Sequence, residues 1–451
     1  MFVKPDNWNE LHPLEKRKLR LDHWQNQPVE FVSPETKANY TARINRIRKT
    51  YDIEPVDHIV ADLSMGAAEY MLRRRGLNGK DILYHPEKLH DPIMEFNLEF
   101  QPDTAVNAFA YPGPSMDILG FNTYQWGGRQ LPDDQTIQMI EGEYMTAAEY
   151  KEFTADPTGF FLRKYIPRMF SELGGLSMLP NFPQVAESVD VMTISMPFGM
   201  PPVQAALKKL MAAGEKTLEF MAITGRTGPA LAAHGFPAMP GGLFCKAPFD
   251  FLGDTLRGTK GILTDMYRHP DDLLAACEAY VPVLTGPIIQ QCDMLGFPGV
   301  MMPLHKGADG FMSLDQFKKF YWPTFKAILM AFYEEGLTNA LFVEGSYDSR
   351  LETIAEMPEK SCYWFFDQTD MRQVKEILGG KHIVGGNVPA SLMSTGSTED
   401  LRAYCDDLVE LFADTPGFVM NFGCGFEWTT DEKIIAYRDS VRQVPMPVAA
   451  V

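Results

Sequence analysis

The sequence predicts an α/β protein built on a parallel sheet, and three observations carry that expectation. From about residue 272 onward, helix-like and strand-like segments alternate through five successive units, the pattern of parallel strands joined by helical crossovers. The strand-like runs are short and nearly continuous in apolar character, as strands covered on both faces are. No Gly-x-Gly-x-x-Gly follows any of them, and the phosphate-binding Gly-x-x-x-x-Gly-Lys-Ser/Thr is absent, which weighs against a nucleotide-binding open sheet. Alternation alone fits both a closed (β/α)8 barrel and an open doubly wound sheet.

Each unit has its own signals. Leu273 to Leu295 reads as a helix, followed by the strand run GFPGVMMPL. Ser313-Leu-Asp-Gln316 has the form of a capping box and opens the stretch FKKFYWPTFKAILMAFYEEG. Pro323 is expected to kink or divide that helix, and Gly336 to stop it. The strand NALFV, a helix near SRLETIAEM, the strand CYWFF, the helix DMRQVKEILGG and the strand HIVGG follow. Ser397 to Asp400 caps LRAYCDDLVELFA, FVMNF is the next strand, and Thr429 to Glu432 caps KIIAYRDSVRQ. The N-terminal half is less regular. Residues 1–50 read as a charged helical arm and 64–75 as a helix; DTAVNAFAYPG and VDVMTISMPFG read as strands. Residues 224–248, rich in Gly, Pro and Ala, read as an inserted lid.

Composition narrows the function classes. At 451 residues and 45% hydrophobic, the chain can bury a large core. A net charge of −18 repels phosphate backbones and anionic membranes, so neither nucleic acid nor a membrane is an expected partner. No run of about 18 apolar residues and no secretory leader are read, and six scattered cysteines without a Cys-x-x-Cys pair fit a reduced, cytoplasmic chain. The 26 Met and 12% aromatic residues read mainly as core filling.

In a (β/α)8 barrel the active site forms on the loops after the strands. His305 and Asp309 follow GVMMPL. Glu344, Tyr347, Asp348 and Arg350 follow NALFV. Asp367 and Asp370 follow CYWFF, Asn387 follows HIVGG, and Cys424 and Glu427 follow FVMNF. Each residue alone has a structural reading; the row of five is what points to a site. Glu344, His305, Asp367 and Cys424 are donor types suited to Zn²⁺, although no paired-ligand spacing fixes two of them on one element. Phe342, Trp364, Phe365, Phe366, Phe422, Phe426 and Trp428 crowd the same rim, some as core and some as walls of a flat apolar pocket.

The stretches PFDFLGDTLRGTKGILTDMYRHPDDLLAACEAYVPVL, ADGFMSLDQFKKFYWPTFKAIL, GNVPASLMSTGS and FGCG, in that order, resemble the uroporphyrinogen decarboxylase superfamily across about residues 95–445. The resemblance implies a (β/α)8 TIM barrel over 95–446 behind a mostly helical N-terminal extension, 1–94. It also separates branches. The Arg-Gln-Ala-Gly-Arg stretch with which decarboxylases hold substrate carboxylates has no counterpart here. Thiol-methylating members carry His-x-Cys-Gly where this chain reads Phe342-Val343-Glu344-Gly345, while Cys424 matches their distant cysteine. The expectation is a corrinoid-dependent methyltransferase, an O-demethylase component acting on a methylated, methoxy-aromatic substrate. Its cobalamin is supplied by a partner corrinoid protein. Glu344, Asp367 and His305 are the expected catalytic groups, and Phe342, Tyr347, Arg350, Trp364, Asn387 and Phe426 the expected substrate contacts. Glu344, Cys424 and His305 are the expected zinc ligands. A homo-oligomer is compatible with the chain. The alternatives are a decarboxylase of a smaller carboxylic acid and a non-catalytic ligand-binding barrel.

Overall fold

A computed structural model describes residues 1–181 and 187–442; residues 443–446 of the expected barrel unit lie outside that range. Seven parallel strands form one sheet: β1 (Val60–Ala61), β2 (Gly242–Phe244), β3 (Gly299–Leu304), β4 (Thr338–Val343), β5 (Cys362–Phe366), β6 (Ile383–Val388) and β7 (Phe418–Phe422). The sheet order is β1-β7-β6-β5-β4-β3-β2, with every neighbour parallel. This is the strand order of a TIM-barrel-like fold whose ring lacks one strand pairing.

Residues 103–110 stand at that break. Asp103 Oδ2 accepts the Ala61 amide at 3.1 Å, and Thr104 donates to Asp62 Oδ1 at 2.7 Å, tying the segment to β1. On the other side the Ala105 amide donates to Pro237 O at 2.8 Å, and the Phe109 ring meets Phe244 of β2 edge-on at 5.4 Å. The strand expected in DTAVNAFAYPG therefore lies in the right place as irregular chain. The reason is local: buried Asn97 takes both backbone groups of Val106, at 2.9 and 2.8 Å, in place of a neighbouring strand.

Register sorts the side chains. Because residues alternate across a strand, Pro303, Phe342, Phe365, Gly385, Val419 and Val60 form one inward row through successive pairings. Phe342 and Phe365 stack at 5.2 Å and 8°. Gly385 leaves room for Tyr363, whose hydroxyl would lie 2.9 Å from an added Cβ. Leu341, Val343, Trp364 and Phe366 point the other way, into the main core beneath the helices.

The N-terminal extension closes the opposite end of the sheet. Leu21 of α1 (Pro13–Gln25) and Ile47 and Tyr51 of α2 (Pro34–Tyr51) join Val60, Tyr363, Phe365, Ile383 and Val419 in one buried cluster. Buried Arg17 donates to Tyr51 O at 2.6 Å and to Thr338 Oγ1, at the start of β4, at 3.2 Å. Gly336 serves two needs: its φ of +72° ends the preceding helix, and an added Cβ would lie 2.5 Å from the Arg17 backbone nitrogen of α1.

Several expectations are corrected. The sheet already begins at Val60, and the expected break at 94/95 falls inside the helix His90–Phe100. VDVMTISMPFG contains the helix Val191–Gly199, because a capping turn at Glu187–Asp190 starts it before any alternation can act. The expected lid holds the helix Thr227–Ala233 and strand β2; its glycines permit close strand pairing, since a Cβ on Gly242 would meet Gly299 O. By length and composition the helix Pro270–Leu295 is apolar enough to cross a membrane, where no such run was expected. It packs here through buried Leu273, Ala276, Cys277 and Cys292. The expected cap at Thr429 is made by Thr430. The box at Ser313, the cap at Ser397 and the division at Pro323 stand as expected; a π-helical turn, Phe317–Tyr321, precedes the helix that Pro323 opens.

Phe365→Ala should cost about 3–5 kcal/mol in denaturant unfolding, the range for a buried phenylalanine that leaves a cavity. A loss below about 1 kcal/mol would contradict the inward stack.

Candidate functional site

The inward row runs on past the ends of β3, β4 and β5 and to the end of β6. Two residues beyond Pro303, Phe342, Phe365 and Gly385 come His305, Glu344, Asp367 and Asn387, so the strand period of two gives these four positions the same facing. At the centre, His305 Nδ1 is 2.6 Å from Asp254 Oδ2, and its Nε2 is 3.4 Å from Glu344 Oε1. Burial works against the charged ring, but the hydrogen bonds to Asp254 and Glu344 outweigh it and hold the imidazole pKa up at about 10. The ring is therefore an imidazolium at neutral pH, a donor from both nitrogens.

Asp254 is the hub. It sits on a π-helical turn, Leu252–Arg257, just after β2. Its carboxylate also takes Lys246 at 2.7 Å and Lys306 in a closer contact, with Gly253 leaving space for the Lys306 stem. Burial opposes its charge, yet His305, Lys246 and Lys306 together hold its carboxyl well below the usual range. Asp250, one turn earlier and fully buried, accepts the His305 amide at 3.1 Å, the Lys306 amide at 2.7 Å and the Tyr321 hydroxyl at 2.6 Å. It fixes the backbone of the His305 loop. Burial and the neighbouring Asp254 charge push its own carboxyl up.

Beside this centre lies a cavity of about 380 Å³ lined in part by Asp367, Asn387, Tyr404 and Cys424. Asp367 Oδ2 accepts the Gly345 amide at 3.2 Å, and burial, joined by the Glu344 charge, pushes its carboxyl up. Partial desolvation at the rim and the charges of Asp367 and Glu344 likewise push the Cys424 thiol up, away from thiolate. Gly423 permits this approach, since its Cβ would lie 2.8 Å from the Asp367 Cα. Asn387 is already engaged: its Nδ2 donates to Thr369 O at 3.0 Å, and Tyr404 donates to its Oδ1 at 2.7 Å.

The structure thus brings together His305, Glu344, Asp367, Cys424 and Asn387, with Phe342 beneath them. Three other expected contacts lie elsewhere. Tyr347 is fully buried, its hydroxyl against Gly307 and Tyr321. Arg350 is buried on Asp309 at 3.0 Å and donates to the carbonyls of Gly307 and Met312, stitching the loop after β3. Trp364 points into the helix-covered core, edge-on to Phe325. These positions have the opposite facing to the inward row or turn back beneath the loop. Phe426 lines a separate cavity at the same rim.

Sequence reasoning missed Asp250, Asp254 and Lys246. Their signal was the Asp-x-x-x-Asp one turn apart in PFDFLGD, hidden because the strand before it was read as part of a lid. The zinc set expected at Glu344, Cys424 and His305 is not assembled. Both nitrogens of His305 already face carboxylates, and among the described residues no three His, Cys, Asp or Glu side chains gather as metal ligands. No chemical step is routed through a metal.

Folding raises the His305 pKa from 6.5 to about 10. Its contribution to stability is therefore complete below pH 6.5 and is lost as pH rises toward 10. The stability gap between wild type and His305→Gln in urea should shrink over that window. A gap independent of pH would contradict a charged ring.

Comparison with known proteins agrees with this architecture. A methyltransferase from Methanosarcina mazei shares the fold at a TM-score of 0.53 and 13% identity, covering 90% of this chain and 98% of that one. No curated protein sequence matches the chain significantly. Residues 201–443, more than half of the sequence and all of the sheet from β2 to β7, match the family described as Uroporphyrinogen decarboxylase (URO-D). The chain belongs to the uroporphyrinogen decarboxylase family.

Proposed function

We propose that the chain is a methyltransferase that moves a methyl group from a methoxy-aromatic substrate to the cobalamin of a separate corrinoid protein. The observation that carries this reading is His305 held between the carboxylates of Asp254 and Glu344 above the stacked Phe342 and Phe365. Cleaving a methyl–oxygen bond leaves the bonding pair on oxygen, which is a poor leaving group unless a proton meets it. The His305–Glu344 pair stores that proton at the mouth, and the phenyl floor supplies a flat face for a ring. The partner's cobalamin supplies the methyl acceptor. Glu344, 44% exposed at its side chain, is the group of the pair placed to reach a ligand.

The charge arrangement weighs against the decarboxylase alternative. A substrate with several carboxylates needs uncommitted cations, and those on the loops after β2, β3 and β4 are taken: Lys246 and Lys306 by Asp254, and Arg350 by Asp309.

Anaerobic incubation with a reduced corrinoid protein and 2-methoxyphenol should methylate the corrinoid. Glu344→Gln should slow that transfer by roughly 10²–10⁴-fold, the usual worth of a positioned acid–base group. No corrinoid methylation across a broad panel of methyl ethers would sink the reading, and carbon dioxide release without corrinoid would favour the decarboxylase.

A further inference from the structure

A second cavity, of about 300 Å³, opens at the same rim on the far side of the loop that follows β7. Met65, Leu72, Ile82, Leu83, Phe109 and Phe426 supply most of its wall. Its volume is roughly twice the ~150 Å³ apolar cavity that holds one benzene. Gly66 keeps the space and its wall compatible: an added Cβ would strike Phe422 and Phe426 at 2.5 and 2.6 Å. The cavity adjoins the His305–Glu344 centre through one short loop. Gly425 and Phe426 line it, while Cys424, one residue earlier, lines the polar cavity and feels the charges of Glu344 and Asp367.

One carboxylate lines this apolar space. Glu69 is partly buried, and its Oε1 takes Arg73 at 2.9 Å. Its Oε2 has no hydrogen-bond partner among the described residues. Arg73 makes its contacts to Glu69, Glu427 and the Asp134 carbonyl through Nη2, lies over the Trp428 ring and is not among the residues that line the cavity. A guest that buries a ring here thus meets a hydrogen-bond acceptor bearing negative charge and no cationic side chain in the cavity wall. That rewards a hydroxyl or amino substituent and penalises a carboxylate.

We infer that this cavity is a binding site for a neutral aromatic ring bearing a hydrogen-bond donor, a phenol-type ligand, with Glu69 as acceptor, and that it excludes benzoate-type ligands. The inference rests on the proposed function in one respect: the ring class is the one that reading gives the substrate, held here across the loop from the Phe342–Phe365 floor where the reaction is placed.

Binding alone tests it, with no corrinoid present. Calorimetric titration of the full chain with phenol and with benzoate should show phenol binding at least tenfold tighter, and 2-methoxyphenol should displace phenol. Ala68→Phe, which fills the cavity from its helix side, should weaken phenol binding tenfold or more. Ile137→Trp fills it from the opposite loop and serves if the first variant unfolds. Glu69→Gln should narrow the gap between phenol and benzoate. Phenol binding untouched by a folded cavity-filling variant, or benzoate binding as tightly as phenol, would overturn the site. Phenol binding intact in a chain that never methylates a corrinoid would leave this site standing and defeat the catalytic reading instead.

Discussion

The Asp254 carboxylate organises the mouth of this sheet. One buried anion takes His305, Lys246 and Lys306, and each contact has a separate consequence. The lysines are removed as binders of substrate anions. The histidine is held charged and turned so that its other nitrogen meets Glu344. A charge cluster of this kind is costly to desolvate and holds only when every partner is in place. Asp250 provides that placement by pinning the backbone of the His305 loop, and the π-helical turn at Leu252–Arg257 delivers Asp254 itself. Such turns recur at functional sites because the extra residue re-aims side chains that a regular helix would hide.

The remaining fold supports this point. The N-terminal helices plug the starts of the strands, so that the ends bearing polar groups are the open ones. Phe342 and Phe365 fill the interior just below the mouth, which raises the floor and confines polar chemistry to the rim. The loop after β7 then divides that rim into a polar cavity containing Asp367 and an apolar one containing Phe426.

Much of this was legible in the sequence from residue 272 onward. Continuous apolar runs and capping signals located β3 to β7 because local chemistry and fold agree there. The period of two then carried His305, Glu344, Asp367 and Asn387 to one face. Legibility failed where a tertiary partner replaced a local rule. The Asn97 side chain stands in for a strand beside Val106, so an apolar run stays irregular. Strand β2 is three residues long among glycines, and with it went Asp250 and Asp254. Arg350 looked like a ligand contact from its position and is a structural strut, because burial is invisible in sequence. The same burial places Trp364 and Tyr347 behind the strands instead of at the mouth.

The chemistry of this site depends on the charge of His305. Nitrogen NMR of the imidazole, assigned by its loss in His305→Gln, reads that charge directly. At pH 8 both His305 nitrogens should be protonated, with the ring losing its proton only as pH approaches 10. A neutral ring at pH 8, with one nitrogen bare, would contradict it.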